Sequence, residues 1–245
     1  MQVNVEVCIT SVEEAITAEE CGATSVEVCT WLDCGGVTPS SGLVDTVRGA
    51  VRIPVRVLVR PGPGRFTYSP AETNALLTDA EIFGGGALGL VTGAIDGQGE
   101  VEQRILEAVK RLAPESEITF HRAIDHLADP LRVVESCVEL GIDRILTSGG
   151  AGLAVDGIPT LIRIIECAGD RIEIAVAGGI DPENVLRIVE QTGAREVHFA
   201  AQRRVPGQMK GPALSSAGGN VQFDVIPDRA KIEGVMNALV KAGLR

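Results

Sequence analysis

Short runs of alternating apolar and polar residues recur along this chain, and a segment with helical spacing of its apolar positions follows each run. In the clearest run, Ile118 and Phe120 share one face of a strand, and Thr119 and His121 share the other. We interpret eight such runs as β-strands, at approximately residues 3–10, 25–30, 55–60, 89–93, 118–125, 144–148, 173–177 and 196–200.

The repeated strand–helix unit indicates the fold class. Neighbouring parallel strands need helical crossovers, and the units here are spaced roughly 22 to 35 residues apart. Eight units without a break in composition favour one closed (β/α)8 barrel, a TIM barrel, that spans residues 1–245 as a single domain. A doubly wound sheet is the alternative. In either fold, ligands bind at the C-terminal ends of the strands. After the last strand, the sequence predicts a long polar loop over about residues 202–227.

Strand alternation predicts which side chains face the inside of the barrel. One parity of each strand faces the helices and must be apolar, so the other parity faces the interior. The inward set is Glu6, Cys8, Glu27, Cys29, Arg56, Arg60, Thr92, His121, Glu196 and His198. Because buried charges are costly, Glu6, Arg56 and Glu196 are compatible with a structural ion-pair network low in the barrel. The polar residues nearer the C-terminal rim indicate a functional cavity; they are Glu27, Arg60, His121 and His198.

Histidines and a carboxylate enclosed in one cavity can move protons. Glu27, His121 and His198 are therefore candidate catalytic acid and base residues. As an alternative, the same three residues are candidate metal ligands, a set of two imidazoles and one carboxylate. Arg60 suits a substrate carboxylate or phosphate, because its guanidinium fork matches planar anions.

Two glycine-rich turns are candidate anion-binding elements. Each follows a predicted strand and precedes a helix, where free backbone N–H groups attract anions. Alternatively, these glycines only turn the chain tightly. The residues that we assign to anion binding, besides Arg60, are Thr92, Ser148, Gly149, Gly178 and Gly179.

Composition excludes several classes of partner. The formal net charge is −11, no run is rich in Lys or Arg, and 3% of residues are aromatic, so we expect no nucleic-acid partner. No apolar stretch reaches membrane-spanning length, and the first residues do not have the pattern of a signal peptide. We therefore predict a cytoplasmic protein without a membrane partner, whose six cysteines are reduced thiols.

Cys8 and Cys29 form a candidate metal pair. They share inward parity on adjacent predicted strands, so their sulfur atoms are expected to lie close together. Two converging thiolates suit the soft ion Cu(I), and Cys34 is a possible third ligand. The alternative is that both residues are small core side chains.

At these positions the chain resembles the CutC copper-homeostasis protein family. The matching segments are residues 5–8 and 26–29 (both Val-Glu-Val-Cys), 35–40, 59–61, 89–93, 119–125, 146–149 and 196–198. The resemblance implies a (β/α)8 barrel, a cytoplasmic location and a homo-oligomer, either a dimer or a tetramer. It also implies a role in copper tolerance, with Cys8 and Cys29 as Cu(I) ligands. The match is loose after about residue 202.

Two functional hypotheses follow. The first is copper homeostasis through Cu(I) binding by the cavity thiols, with copper as the partner. The second is an enzyme that performs acid/base chemistry on a small anionic metabolite, a phosphate or a carboxylate. A barrel that serves only as an oligomeric scaffold is a third possibility.

Overall fold

Eight parallel strands close into a barrel in the order of the chain. The computed structural model describes residues 2–207 and 223–245. Each strand pairs with the next one, and the eighth pairs with the first. The strands are β1 Asn4–Ile9, β2 Ser25–Val28, β3 Val55–Leu58, β4 Gly89–Thr92, β5 Ile118–Phe120, β6 Arg144–Thr147, β7 Glu173–Ala177 and β8 Glu196–Ala200. The predicted (β/α)8 barrel is therefore confirmed.

A helix follows each barrel strand and covers the outside of the barrel. The helices are α1 Val12–Glu20, α2 Ser41–Ala50, α3 Pro70–Gly84, α4 Gln103–Leu112, α5 Pro130–Glu139, α6 Ile158–Ala168, α7 Val185–Thr192 and α8 Arg229–Lys241. Several starts follow from local chemistry: Ser69 and Glu72 form a capping box at α3, and the Asp129 carboxylate caps α5. No helix among residues 2–207 and 223–245 is long and apolar enough to cross a membrane.

The main apolar core lies between the strands and the helices. Val5, Val7 and Ile9 of β1 are almost completely buried on this outer side. A separate and smaller apolar cluster lies inside the barrel and contains Cys8, Cys29, Leu58 and Val91. Both parities of the strands are thus buried, as expected for a sheet that is enclosed by helices.

The segment after β8 differs from the prediction. Instead of one continuous loop over residues 202–227, its two ends form an antiparallel pair of strands, β9 Gln202–Pro206 and β10 Phe223–Pro227. The guanidinium of Arg204 lies 4.3 Å from the ring centroid of Phe223 across this pair. Cross-strand pairing of this kind, which local composition does not reveal, explains the difference. The rest of the predicted loop, residues 208–222, lies outside the described residues.

Candidate functional site

A buried ion-pair network fills the lower part of the barrel. The carboxylate of Glu6 accepts hydrogen bonds from Arg56 Nη1 at 2.5 Å and from Arg144 Nη2 at 2.6 Å. Arg144 Nη2 also donates to Glu196 at 2.7 Å. Burial alone would raise the pKa of Glu6, but Arg144 and the neighbouring His198 hold that pKa well below its usual value. The ion-pair network that we considered as an alternative for Glu6, Arg56 and Glu196 is therefore present.

Arg144 belongs to this network but is not in the inward-facing set predicted from the sequence. It begins β6, and its side chain is 1% exposed between the two carboxylates. The alternation along β6 does indicate this inward orientation. Ile145 belongs to the outer core, so residues of the opposite parity must face inward. Arg144 and Leu146 have that parity. The first residue of a strand is simply harder to assign from its pattern.

The two predicted thiols meet inside the barrel. Cys8 Sγ and Cys29 Sγ are 3.5 Å apart, and both residues are buried. They pack against the apolar side chains of Leu58 and Val91. The hydrogen bond with Cys29, together with burial, raises the pKa of the Cys8 thiol well above its usual value. Cys8 is therefore a neutral thiol at neutral pH.

Glu27 and His198 lie next to this thiol pair. Cys8 is aligned with Glu27 in the β1–β2 register, and its sulfur lies 3.7 Å from Glu27 Oε1. One ligand atom from each of Cys8, Glu27 and His198 lies within 4.8 Å of the others. Burial raises the pKa of Glu27. Burial alone would lower the pKa of His198, but the carboxylates of Glu27 and Glu6 raise it above its usual value.

A cavity of about 370 Å³ opens above these groups, at the C-terminal ends of the strands. Its walls combine apolar side chains, such as Phe66 and Leu146, with a few polar groups. The predicted site residues that line it are Cys8, Glu27, Arg60, His121, His198, Gly178 and Gly179. The location agrees with the expectation that ligands bind at this end of a barrel.

His121 presents a hydrogen-bond donor to the cavity. Its Nδ1 accepts from the N–H group of Ala123 at 3.3 Å, whereas its buried Nε2 has no hydrogen-bond partner in the described structure. Burial and the positive charge of Arg60 lower the pKa of His121 to about 3. The ring is therefore neutral, with its proton on Nε2. Room for the ring depends on Gly93, because a Cβ there would lie 2.5 Å from His121 Nδ1.

This buried neutral imidazole makes stability depend on pH. The pKa of His121 is about 3 in the folded protein, against an ordinary value of 6.5. Below pH 6.5 the unfolded chain binds a proton that the folded protein does not, so stability falls with the pH, down to about pH 3. When the pH is lowered from 7.5 to 5, we expect the free energy of unfolding to fall by about 2 kcal/mol more in the wild type than in His121→Gln. Urea unfolding at the two pH values measures this difference. Equal losses would mean that His121 is protonated in the folded protein.

Arg60 is a buried cation that pairs with no carboxylate among the described residues. It is 4% exposed, and within the described ranges no carboxylate oxygen lies within the 4.0 Å of an ion pair. Its Nη atoms donate to the backbone carbonyl groups of Cys34, Gly36 and Gly64 at 2.8–3.1 Å. Its Nε has no partner, and its guanidinium lies 4.9 Å from the ring centroid of Phe66. Carbonyl dipoles hold this charge in place but do not neutralise it.

The predicted inward orientation of Thr92 is wrong. In β4 it is Val91 that lines the cavity and joins the inner apolar cluster. The register explains this, because Gly89 and Val91 are aligned with the inward-facing Arg56 and Leu58. Thr92 has the opposite parity, and its hydroxyl donates to the carbonyl oxygen of Val59 at 2.9 Å.

The turn after β6 is tied to the loop after β5 through Asp125. The carboxylate of Asp125 accepts from Arg122 Nε at 2.8 Å and from the hydroxyl of Thr147 at 2.6 Å. It also accepts from the N–H group and the hydroxyl of Ser148. The hydroxyl of Thr147 in turn accepts from the N–H group of Gly149 at 2.9 Å. Arg122, which the sequence places outside the inward set, has this bracing role.

The two glycine-rich turns therefore differ in what they offer a ligand. The N–H groups of Ser148 and Gly149 are engaged within the protein, and neither residue lines the cavity. Gly178 and Gly179, which follow β7, do line it. The structure thus brings only the second turn to the cavity.

Unpartnered polar atoms are concentrated at this cavity. Within the part of the chain that the structure describes, four buried side-chain N or O atoms have no hydrogen-bond partner. Three of them belong to the cavity-lining residues Glu27, Arg60 and His121, and the fourth is the hydroxyl of Ser116. Such an atom costs about 1–3 kcal/mol. Their clustering at one cavity indicates a site that binds a polar ligand.

The predicted metal set of His121, His198 and Glu27 is not the one that the structure assembles. In the described ranges, the group with ligand atoms close enough for an ion contains Cys8 in place of His121. The β1–β2 register puts the Cys8 sulfur beside Glu27, whereas His121 packs against Phe66 with 4.7 Å between ring centroids.

Comparison with known proteins gives consistent matches. The model of the CutC family matches residues 3–203. A family protein CutC of Xanthomonas campestris pv. campestris (strain 8004) is 38% identical over 240 residues, which cover 97% of this chain and 99% of that protein. The copper homeostasis protein cutC homolog of Homo sapiens is 39% identical over 208 residues, covering 84% and 76%. A crystal structure of CutC from Streptococcus agalactiae has a TM-score of 0.76 at 26% identity, covering 81% of this chain and 98% of that one.

Proposed function

This chain belongs to the CutC family, and we propose on that basis that it acts in copper homeostasis by binding Cu(I) between Cys8 and Cys29. The observation that carries the proposal is the distance of 3.5 Å between the two sulfur atoms. A cytoplasmic location and assembly into a homo-oligomer are part of the same proposal. A reducing cytoplasm would keep the thiols available for copper.

The surroundings of the two sulfurs suit a soft ion. Thiolates select Cu(I), and the neighbouring Leu58 and Val91 keep water away from the pair. Cys8 lines the cavity, so an ion can reach the pair from the open end of the barrel. The groups of Cys34 are engaged elsewhere. Its thiol donates to the carbonyl oxygen of Trp31, and its own carbonyl oxygen accepts a hydrogen bond from Arg60. We therefore propose the pair without Cys34.

Competition with a Cu(I) chelator under anaerobic conditions tests this proposal. We expect the wild type to bind one Cu(I) with a dissociation constant below about 1 µM. This corresponds to a binding free energy of at least about 8 kcal/mol in magnitude. The double variant Cys8→Ser/Cys29→Ser should lose this binding. Cys137→Ala, which removes a buried thiol from α5, is the matched control and should bind like the wild type. An unchanged affinity in the double variant would contradict the proposal.

A second candidate function is favoured by Arg60 and His121, which copper ligation does not use. In the described part of the chain, the buried guanidinium of Arg60 has no carboxylate partner and the imidazole Nε2 of His121 has no hydrogen-bond partner. Both residues line the same cavity. Both are donors for an anionic oxygen, and Arg60 supplies the charge. Glu27, with its free Oε2, would accept or release a proton on the same ligand. The function would be acid/base chemistry on a small phosphate or carboxylate metabolite.

A thermal-shift screen of phosphorylated and carboxylated metabolites tests this second function. A ligand at about 100 times its dissociation constant adds about 2.7 kcal/mol to stability. We expect one such anion to stabilise the wild type, and His121→Ala to lose this stabilisation. His126→Ala, which removes an exposed histidine that also contacts Phe66, should keep it. If every anion acts equally on the wild type and His121→Ala, this function is excluded.

A further inference from the structure

Cys8, Glu27 and His198 bring three different kinds of metal ligand together. Their sulfur, carboxylate oxygen and imidazole nitrogen lie within 4.8 Å of one another, and all three residues are buried. Bond lengths of about 2.0–2.3 Å in a tetrahedral site place ligand atoms about 3.5 Å apart. The distance of 3.7 Å between Cys8 Sγ and Glu27 Oε1 is already close to this value. Small side-chain rotations would complete the set.

The orientation of His198 supports a role as a ligand. Its Nδ1 lies 2.8 Å from Glu6 Oε1, so Nε2 is the ring nitrogen left for an ion. Metal-binding histidines usually make such a hydrogen bond to a carboxylate through the other ring nitrogen, which fixes the tautomer and the ring plane. Glu6 is itself held by Arg56 and Arg144. The buried ion-pair network thus fixes the position of the His198 ring.

Glu27 provides an independent indication of a cation site. Its Oε2 is buried and has no hydrogen-bond partner among residues 2–207 and 223–245. The other carboxylate oxygen of Glu27, Oε1, accepts a hydrogen bond from the Cys8 thiol. A bound cation would satisfy Oε2, which otherwise carries the full cost of its lost hydration.

From these observations we propose that Cys8, Glu27 and His198 form a site for a divalent ion of the Zn²⁺ class, with one coordination position open to the cavity. A mixed set of sulfur, nitrogen and oxygen ligands suits a borderline ion better than Cu(I), for which soft sulfur ligands are selective. Three protein ligands and an open position are the arrangement of zinc sites that bind a substrate or a water molecule. Arg60 and His121 line the same cavity and would contact an anionic oxygen on the ion.

This site goes beyond the copper proposal and shares only Cys8 with it. Cu(I) binding requires Cys29, whereas the divalent site requires Glu27 and His198. The two ions would therefore compete for one sulfur but depend on different partners. Single substitutions can separate the two proposals.

Titration of the purified full-length protein with Co²⁺, a spectroscopic substitute for Zn²⁺, tests the site. We expect one equivalent to give the intense visible bands of a tetrahedral ion and a thiolate charge-transfer band in the near ultraviolet, both removed by added Zn²⁺. Zn²⁺ affinity, measured against a chromophoric chelator, should fall at least tenfold in Glu27→Gln and in His198→Gln. Both variants keep a hydrogen-bonding side chain, and circular dichroism checks that they fold.

Cys29→Ser is the control that distinguishes the two metals. It should keep the Co²⁺ spectrum and the Zn²⁺ affinity while losing Cu(I) binding. Three results would each overturn the divalent site: no tetrahedral Co²⁺ spectrum in the wild type, wild-type Zn²⁺ affinity in a folded Glu27→Gln, or equal losses of Zn²⁺ affinity in Cys29→Ser and Glu27→Gln. Failure of Cu(I) binding alone would leave this site standing.

Discussion

Arg144→Ala is expected to lower the free energy of unfolding by about 3–5 kcal/mol, which is the usual cost of removing one partner from a buried ion pair. Arg144 is 1% exposed and donates to both Glu6 and Glu196. Without it, Glu6 keeps Arg56. Among the described residues, the nearest ion-pair partner then left to Glu196 is Arg56, whose Nη1 lies 4.0 Å away. A carboxylate that has lost its hydration and its counter-charge is then left inside the barrel.

Urea unfolding at neutral pH measures this loss. The matched control is Arg195→Ala, because Arg195 also pairs with a carboxylate, Asp170, at 3.0 Å. That pair lies on the surface, with side chains 73% and 86% exposed, so its removal should cost less than about 1 kcal/mol. Equal effects of the two substitutions would show that the buried network does not stabilise the barrel.

Gly157→Ala is expected to destabilise the protein by about 3 kcal/mol, the upper end of the usual cost of overpacking. Gly157 immediately precedes α6, and a Cβ at this position would lie 1.9 Å from the carbonyl oxygen of Ser148. That oxygen belongs to the backbone, so no side-chain rotation can relieve the contact. The helix and the turn after β6 would have to move apart, and the hydrogen bonds from that turn to Asp125 would be strained.

The control for this substitution is Gly152→Ala in the same loop. Gly152 is exposed, and a Cβ there would have no heavy atom within 4 Å. Alanine at such a position leaves stability unchanged or raises it by up to about 1 kcal/mol, because it restricts the unfolded chain. The midpoints of thermal unfolding of both variants measure the difference. A Gly157→Ala variant as stable as Gly152→Ala would mean that the turn adapts at little cost.

Much of the candidate site could be predicted because strand alternation is a local property. Once Val5 and Val7 are placed against the helices, Glu6 and Cys8 must face the interior. Glu27, Cys29 and His198 also face the interior as their alternation predicts. Thr92 does not, because β4 has only four residues, all apolar or small apart from this threonine. Its parity is therefore not visible in the sequence and follows only from the alignment with β3.

The chemical state of the site residues could not be predicted in the same way. His121 and His198 have the same inward parity, but the pKa of the first is lowered and that of the second is raised. The difference comes from neighbours on other strands: Arg60 lies near His121, whereas Glu6 and Glu27 lie near His198. Sequence identifies the titratable groups, and their surroundings in the barrel decide their protonation.

The sequence by itself therefore determined the barrel, the order of its strands and most of the side chains that face inward. These features depend on the spacing of apolar residues, which repeats every two residues in a strand and every 3.6 in a helix. Such spacing is visible within a short stretch of sequence. Only the tertiary structure decided which of those side chains meet. Glu6 contacts Arg144 and His198, which lie 138 and 192 residues further along the chain. Such contacts depend on the closure and stagger of the whole barrel, which no local pattern encodes.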